Sequence, residues 1–224
     1  FQEYETSKHI KSVLIDWGIP FQENIADTGI VVLLKGFSPE KNCVALRADF
    51  DALPIIEENN VEYCSKNHGV MHACGHDAHT ASMLGALKIL NETKKSWDGT
   101  IKFIFQPAEE RLPGGAKQMI EEGVLNNPNV ENVIAQHVFP ELEVGKVGFR
   151  PGTYMASTDE IYIKIKGVGG HAAIPKQYNN PIIASSDLIL KLNEFFTQHN
   201  DSIFAIGCIQ GNGSTNVIPN EVNL

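Results

Sequence analysis

The densest chemistry in the chain lies in the stretch His72-Ala-Cys-Gly-His-Asp-Ala-His79, which holds three histidines, a cysteine and an aspartate. Cys74 and His76 stand two apart with Gly75 between them, so a tight loop can turn a thiolate sulfur and an imidazole nitrogen to one side. So many polar groups together are hard to account for as packing, because buried polar groups need partners. Taken singly, His72 and His79 read as polar residues of a loop and a helix start. Glu109-Glu110 closes the run Phe103-Ile-Phe-Gln-Pro-Ala108. Adjacent side chains of an extended segment point opposite ways, so one carboxylate can bind a metal while the other serves as general base. Asp49, Asp51 and His137 complete the set. A cysteine, two histidines and one glutamate as ligands, with a second glutamate left over, describe metal-assisted hydrolysis. Two divalent ions about 3.5–4 Å apart would share a hydroxide and polarise a carbonyl. The spare Glu would move the proton from water to the leaving amine, and Asp49 or Asp51 would fix the tautomer of a ligand imidazole. Thiolate with imidazole favours Zn2+, while the carboxylate share admits Mn2+, Co2+ or Ni2+.

These residues are far apart in sequence, so the fold has to gather them. Tyr4, Ile10, Val13, Leu14 and Trp17 fall at helical spacing before Gly18, which predicts a first helix. Ile30–Leu34 reads as a strand opened by the turn Asp27-Thr28-Gly29, and Cys43–Asp49 as a buried strand. A helix over His79–Asn91, a strand over Ile101–Phe105, a helix over Gly114–Glu122 and a buried strand over Val133–Ala135 follow. Alternating strands and helices predict an α/β fold with a mostly parallel sheet and helices on both faces. The ligand candidates then sit just past the carboxyl ends of strands, where open α/β sheets bind ligands. The pattern changes near Pro151-Gly152, so residues 1–151 are expected to form a catalytic domain and 152–224 a smaller α+β domain. The second holds a strand over Glu160–Lys166, a helix over Pro181–Gln198 with Asn180 as cap, and a strand over Ile203–Gln210.

Composition narrows the function. Eighteen Lys and Arg stand against 27 Asp and Glu, a net charge of −9, which argues against nucleic acid or an anionic membrane as partner. No apolar run is long enough to span a membrane, and Phe1 opens no signal peptide. Four cysteines in 224 residues make no disulfide framework. They point to a reducing, cytoplasmic compartment, with Cys43 and Cys208 as core residues. Asp27-Thr28-Gly29 matches half of an aspartic-protease site, but that chemistry needs two such carboxylates and there is no second triplet.

Five stretches carry a family resemblance: Arg47-Ala-Asp-Phe-Asp-Ala-Leu-Pro54, Met71-His-Ala-Cys-Gly-His-Asp-Ala-His79, Gln106-Pro-Ala-Glu-Glu110, Gly170-His-Ala-Ala173 and Asn216-Val-Ile-Pro219. In this order they resemble the amidohydrolase branch of the aminoacylase/carboxypeptidase metallopeptidase family, which includes hippurate hydrolases, auxin-conjugate hydrolases and N-acetyl-diaminopimelate deacetylases. The resemblance implies Cys74, His76, Glu110 and His137 as metal ligands and Glu109 as the base. It further implies a di-metal catalytic domain with an inserted lid through which homodimers form. His171 would be a lid residue reaching a substrate site, and Asn216 would hold the substrate carboxylate or the oxyanion. Family members continue past the lid and return with a last His ligand. This chain stops at Leu224 within the lid and reads as incomplete. The activity implied is hydrolysis of the amide bond of N-acyl amino acids. A dipeptidase or carboxypeptidase acting on a short peptide is the near alternative, and a non-catalytic metal-binding protein the distant one. Glu109 argues against the last, since a scaffold needs no base beside its ligands.

Overall fold

The computed structural model describes residues 1–199 and 202–224. The chain divides into two compact units, Phe1–Gly148 and Phe149–Leu224. The first runs α1 (Tyr4–Asp16), β1 (Phe21–Ile25), β2 (Gly29–Lys35), β3 (Cys43–Asp49), α2 (His76–Glu92), β4 (Thr100–Gln106), α3 (Gly115–Glu121) and β5 (Asn132–Ala135). Its five strands form one sheet in the order β1-β2-β4-β3-β5.

The sheet is mixed, where a mostly parallel one was expected. β3 is parallel to both β4 and β5, but β1–β2 and β2–β4 are antiparallel. The reason is local. β1 and β2 form a hairpin whose turn residues Ala26 and Asp27 take φ of 50° and 72°, the left-handed conformation that tight hairpins require. A Cβ on Gly29 would lie 2.4 Å from the Ile25 carbonyl oxygen, so only glycine can close this turn. Strand alternation then divides the core. Ile30, Val32, Phe103 and Phe105 meet Ile10 and Leu14 of α1 and Met83 and Leu87 of α2. Val31, Ala45 and Ile104 meet Met119 of α3 on the other face. Helices thus cover both faces, as the alternation predicts. β5, expected to be buried, is exposed at all four positions because it is the edge strand. Among the described residues no helix is long and apolar enough to cross a membrane.

The second unit pairs β6 (Lys164–Lys166) with β9 (Glu221–Asn223), and β7 (Gly170–His171) with β8 (Val217–Ile218), both antiparallel. The expected strand over Glu160–Lys166 is thus confined to its last three residues. Residues 203–209 form no ladder. The neighbouring Gln210 makes a single bridge to Asn223, leaving Ile203 and Cys208 exposed where a packed strand was expected. The helix α4 (Pro181–Thr197) starts where the Asn-Pro pair predicts, and Asn180 Oδ1 accepts from the Ile182 amide at 3.0 Å. Asn180→Ala removes that acceptor and should cost about 1 kcal/mol. Urea unfolding followed on this unit reads it, and an unchanged midpoint would count against the cap.

Candidate metal centre

The parallel strands end at one edge of the sheet, with Asp49 of β3 in register with Gln106 of β4. Asp49 is buried and anchored there. Arg47 Nη1 donates to its Oδ2 at 2.7 Å, while Arg47 Nε donates to Gln106 Oε1 at 2.7 Å. Beyond β3, Asp51 turns back to the same edge. Gly75, with φ of 99°, turns the chain into α2. That helix begins three residues earlier than its apolar pattern suggests, so His76 and His79 lie one turn apart on a single face, each 1% exposed. After β4, Ala108 takes φ of 46°, so the segment is not extended. The chain bends at Glu109 and Glu110 themselves, so the two do not diverge as an extended pair would, and both carboxylates approach the same imidazole.

That imidazole is His76. Its Nδ1 lies 3.0 Å from Asp51 Oδ1 and 3.1 Å from the Asp51 carbonyl oxygen, so Nδ1 carries the donated proton. Asp51 Oδ2 accepts from the Glu110 amide at 2.9 Å. One carboxylate thus orients an imidazole and one end of the Glu109-Glu110 pair. Nε2 of His76 is buried and has no hydrogen-bond partner. Around it stand Asp49 Oδ2 at 3.8 Å, Glu110 Oε1 at 3.8 Å and Glu109 Oε2 at 3.9 Å. These distances are too long for hydrogen bonds and short enough to share a cation. Cys74 Sγ lies 3.2 Å from Nε2 of His137. Cys74, His76 and His137 offer donor atoms within 4.8 Å of one another, as do His76, Glu109 and Glu110, and Asp49, His76 and His79. Gathered about the one free nitrogen of His76, the Cys74 sulfur, the His137 nitrogen and the Glu109 and Glu110 oxygens form a donor set that fits divalent cations.

The crowding of these groups also shifts their titration. Burial and the adjacent Glu110 carboxylate push Glu109 above the usual carboxylate range. Burial, the Glu110 carboxylate that hydrogen-bonds the thiol, and the charges of Glu109 and Asp49 push Cys74 up to about 11. Burial opposes a charge on His76, but the Asp51 bond and the surrounding carboxylates outweigh it and raise its pKa. Asp51 is desolvated too, yet its bonds from His76 and from the Glu110 and Glu109 amides hold it below its ordinary value.

Asp49, Asp51, Cys74, His76, Glu109, Glu110 and His137, scattered in sequence, thus meet at one edge of the first unit. His171 and Asn216 lie in the second. There they are neighbours across β7 and β8, with the Ala172 amide donating to the Asn216 carbonyl oxygen at 3.0 Å. Sequence reasoning set His79 aside as a helix-start residue. Its side chain instead joins the cluster, with Nδ1 2.6 Å from Asp49 Oδ1. The helical interval from His76 was the signal that could have found it.

The fold and this cluster have counterparts in a known protein family. Residues 45–215 match the model of peptidase family M20/M25/M40, and the chain belongs to that family. It is 41% identical over 225 residues to an N-acetyl-L-cysteine deacetylase of Bacillus subtilis, covering 99% of this chain and 53% of that protein. It is 39% identical to an N-acyl-L-amino acid amidohydrolase of Geobacillus stearothermophilus, covering 100% of this chain and 61% of the relative. A crystal structure of a dinuclear metal-binding peptidase of the M20 family from Bacillus subtilis superposes with a TM-score of 0.70 at 37% identity, covering 100% of this chain and 57% of that one. The chain therefore spans between half and two thirds of these relatives' lengths.

Proposed function

We propose that the protein is a metal-dependent amidohydrolase that cleaves the amide bond of N-acyl amino acids. Cys74, His76, Glu110 and His137 would hold two divalent ions, Zn2+ or Mn2+ by their donor types, with Co2+ and Ni2+ within reach of the same set. The observation that carries the reading is the buried, unpartnered Nε2 of His76, facing three carboxylates none of which hydrogen-bonds it. A buried polar atom left so costs free energy unless something occupies the space. When bound, a divalent pair supplies Lewis acidity to the scissile carbonyl and to water.

The chain's own residues do the rest. Glu109 takes a proton from the attacking water and delivers it to the leaving amine. Its carboxylate stands at the His76 Nε2 end of the cluster, where one group can serve as base and then as acid. Asp51 holds His76 in the tautomer that points Nε2 inward and fixes the Glu110 backbone beside it. Asp49 does the same for its side of the cluster. Residues 1–151 are the catalytic domain in this reading and 152–224 a lid, through which homodimers would form. His171 and Asn216 would grip the substrate there. The similar deacetylase and amidohydrolase favour an acyl amino acid over a dipeptide as substrate. The unpaired state of all four cysteines supports a cytoplasmic setting.

The test is elemental analysis alongside an assay on N-acetyl amino acids. Purified protein should carry about two divalent ions per chain. Chelation should abolish release of free amino acid, and added Zn2+ or Mn2+ should restore it. Hydrolysis that persists in the stripped protein would refute the reading.

A further inference from the structure

His137 is exposed, so burial does not by itself hold its ring in place. What holds it is a directed chain of hydrogen bonds that starts in the core. Asp49 Oδ1 accepts from His79 Nδ1 at 2.6 Å. His79 Nε2, left with a lone pair, accepts from the Val138 amide at 2.9 Å. The Val138 carbonyl oxygen accepts from His137 Nδ1 at 2.8 Å. His137 Nε2 is then the free nitrogen, and it faces Cys74 Sγ at 3.2 Å. Every proton in this chain has one consistent place. Two further contacts fix the same segment. The His79 and His137 rings meet edge to face with centroids 4.5 Å apart. A Cβ on Gly75 would lie 2.2 Å from Val138 Cγ2, so the missing side chain is what lets Val138 dock.

We infer that His79 is a positioning residue: by holding the backbone of Val138, whose N–H it accepts from and whose carbonyl accepts from His137, it fixes the orientation and tautomer of His137, leaving Nε2 free for the ligand role proposed above. The inference rests on that reading for its purpose but not for its geometry. It makes the buried Asp49–His79 pair the strut of an exposed donor, which the sequence placed after the unprotected edge strand β5. Asp49 thereby acts on two histidines, with one oxygen on His79 and the other facing His76 Nε2.

Two substitutions separate the halves of the strut. Gln places its amide near Nε2 of the histidine it replaces, and can accept from the Val138 amide. Asn places its amide near Nδ1, and can bond Asp49 but not reach Val138. In metal-free full-length protein, His79→Asn should speed hydrogen exchange at the Val138 amide about tenfold and shift His137 toward the Nε2–H tautomer, read by imidazole 15N NMR. His79→Gln should keep both near the parent. Val138→Pro removes the donor from the other side, on a surface loop. It should produce the same tautomer shift whether or not the His79 variants fold. In titrations with zinc alone, the Asn variant should lose about 10- to 100-fold in affinity at the ion held by His137, and the Gln variant little. Parent-like exchange and tautomer in His79→Asn, or a parent-like tautomer in Val138→Pro, would overturn the inference. These two readouts need no metal, so a parent protein that takes up no zinc counts against the metal reading alone.

Discussion

Replacing Glu109 with glutamine lowers turnover of an N-acyl amino acid by about 10³-fold and leaves the metal content where it was. Gln keeps the shape of the side chain and loses only the capacity to take a proton. The site around it should tolerate the change, because Glu109 contributes one of three carboxylates crowded about His76 Nε2. Removing one negative charge relaxes that crowding. It should also lower the Cys74 thiol from its value of about 11, since Glu109 is among the charges that raise it. Loss of the base should lower kcat and kcat/KM together, the signature of a group that acts only in the transition state. A variant with turnover within tenfold of the parent would remove Glu109 as the base, and one that also loses its ions would make it a ligand. The sign of the pH dependence follows from the same geometry. Glu109 must be ionised to act, so kcat/KM should fall on the acid side as its carboxylate takes up a proton.

How much of this was legible in the sequence depends on whether the cause was local. Strands β3 and β4 and the helices α2 and α4 announce themselves because apolar spacing and capping residues act over a few positions. The ligand candidates were legible because thiol, imidazole and carboxylate together have few bland explanations. β1 was missed: its pattern Phe-Gln-Glu-Asn-Ile is mostly polar and exposed, and only the hairpin to β2 makes it a strand. The divergence expected of Glu109 and Glu110 failed because the chain leaves β4 through a left-handed Ala108 and bends at both glutamates, a path that no propensity encodes. β5 and Cys208 were read as buried and Ile203–Gln210 as a strand from their apolar content, but burial and pairing belong to neighbours, and β5 and Cys208 are exposed in the described chain. His79 was the largest miss inside the site. Its identity was visible, but its partners are 30 and 59 positions away and meet it only in the folded chain.

Cys74→Ser should remove at least one ion and, with it, most of the pH dependence of metal binding. In the metal-free protein the thiol is pushed up to about 11 by burial and by the carboxylates of Glu110, Glu109 and Asp49. The metal binds the thiolate, so uptake at neutral pH has to expel that proton. Affinity should then rise by about tenfold per pH unit from this group alone, and keep rising through the whole accessible range below about 11. His76 adds to the slope at the acid end. Its pKa is raised above the ordinary histidine value, so its proton competes with the metal until the pH has climbed past that raised value. The stability of the metal-free fold runs the opposite way for this residue: the bond to Asp51 favours the charged imidazole, so its contribution is full at low pH and is lost as pH rises through the raised pKa. Metal and proton thus exchange roles as the pH increases, each holding the same buried imidazole against the same carboxylates. Calorimetric titration of zinc in buffers of different ionisation enthalpy counts the protons released. The parent should release about one more proton per chain than Cys74→Ser between pH 7 and 8. Serine cannot supply it, because its hydroxyl does not ionise in that range. An equal proton count in the two proteins, with equal zinc stoichiometry, would refute the thiolate as a ligand and leave His76, His137 and the carboxylates to hold the metal by themselves.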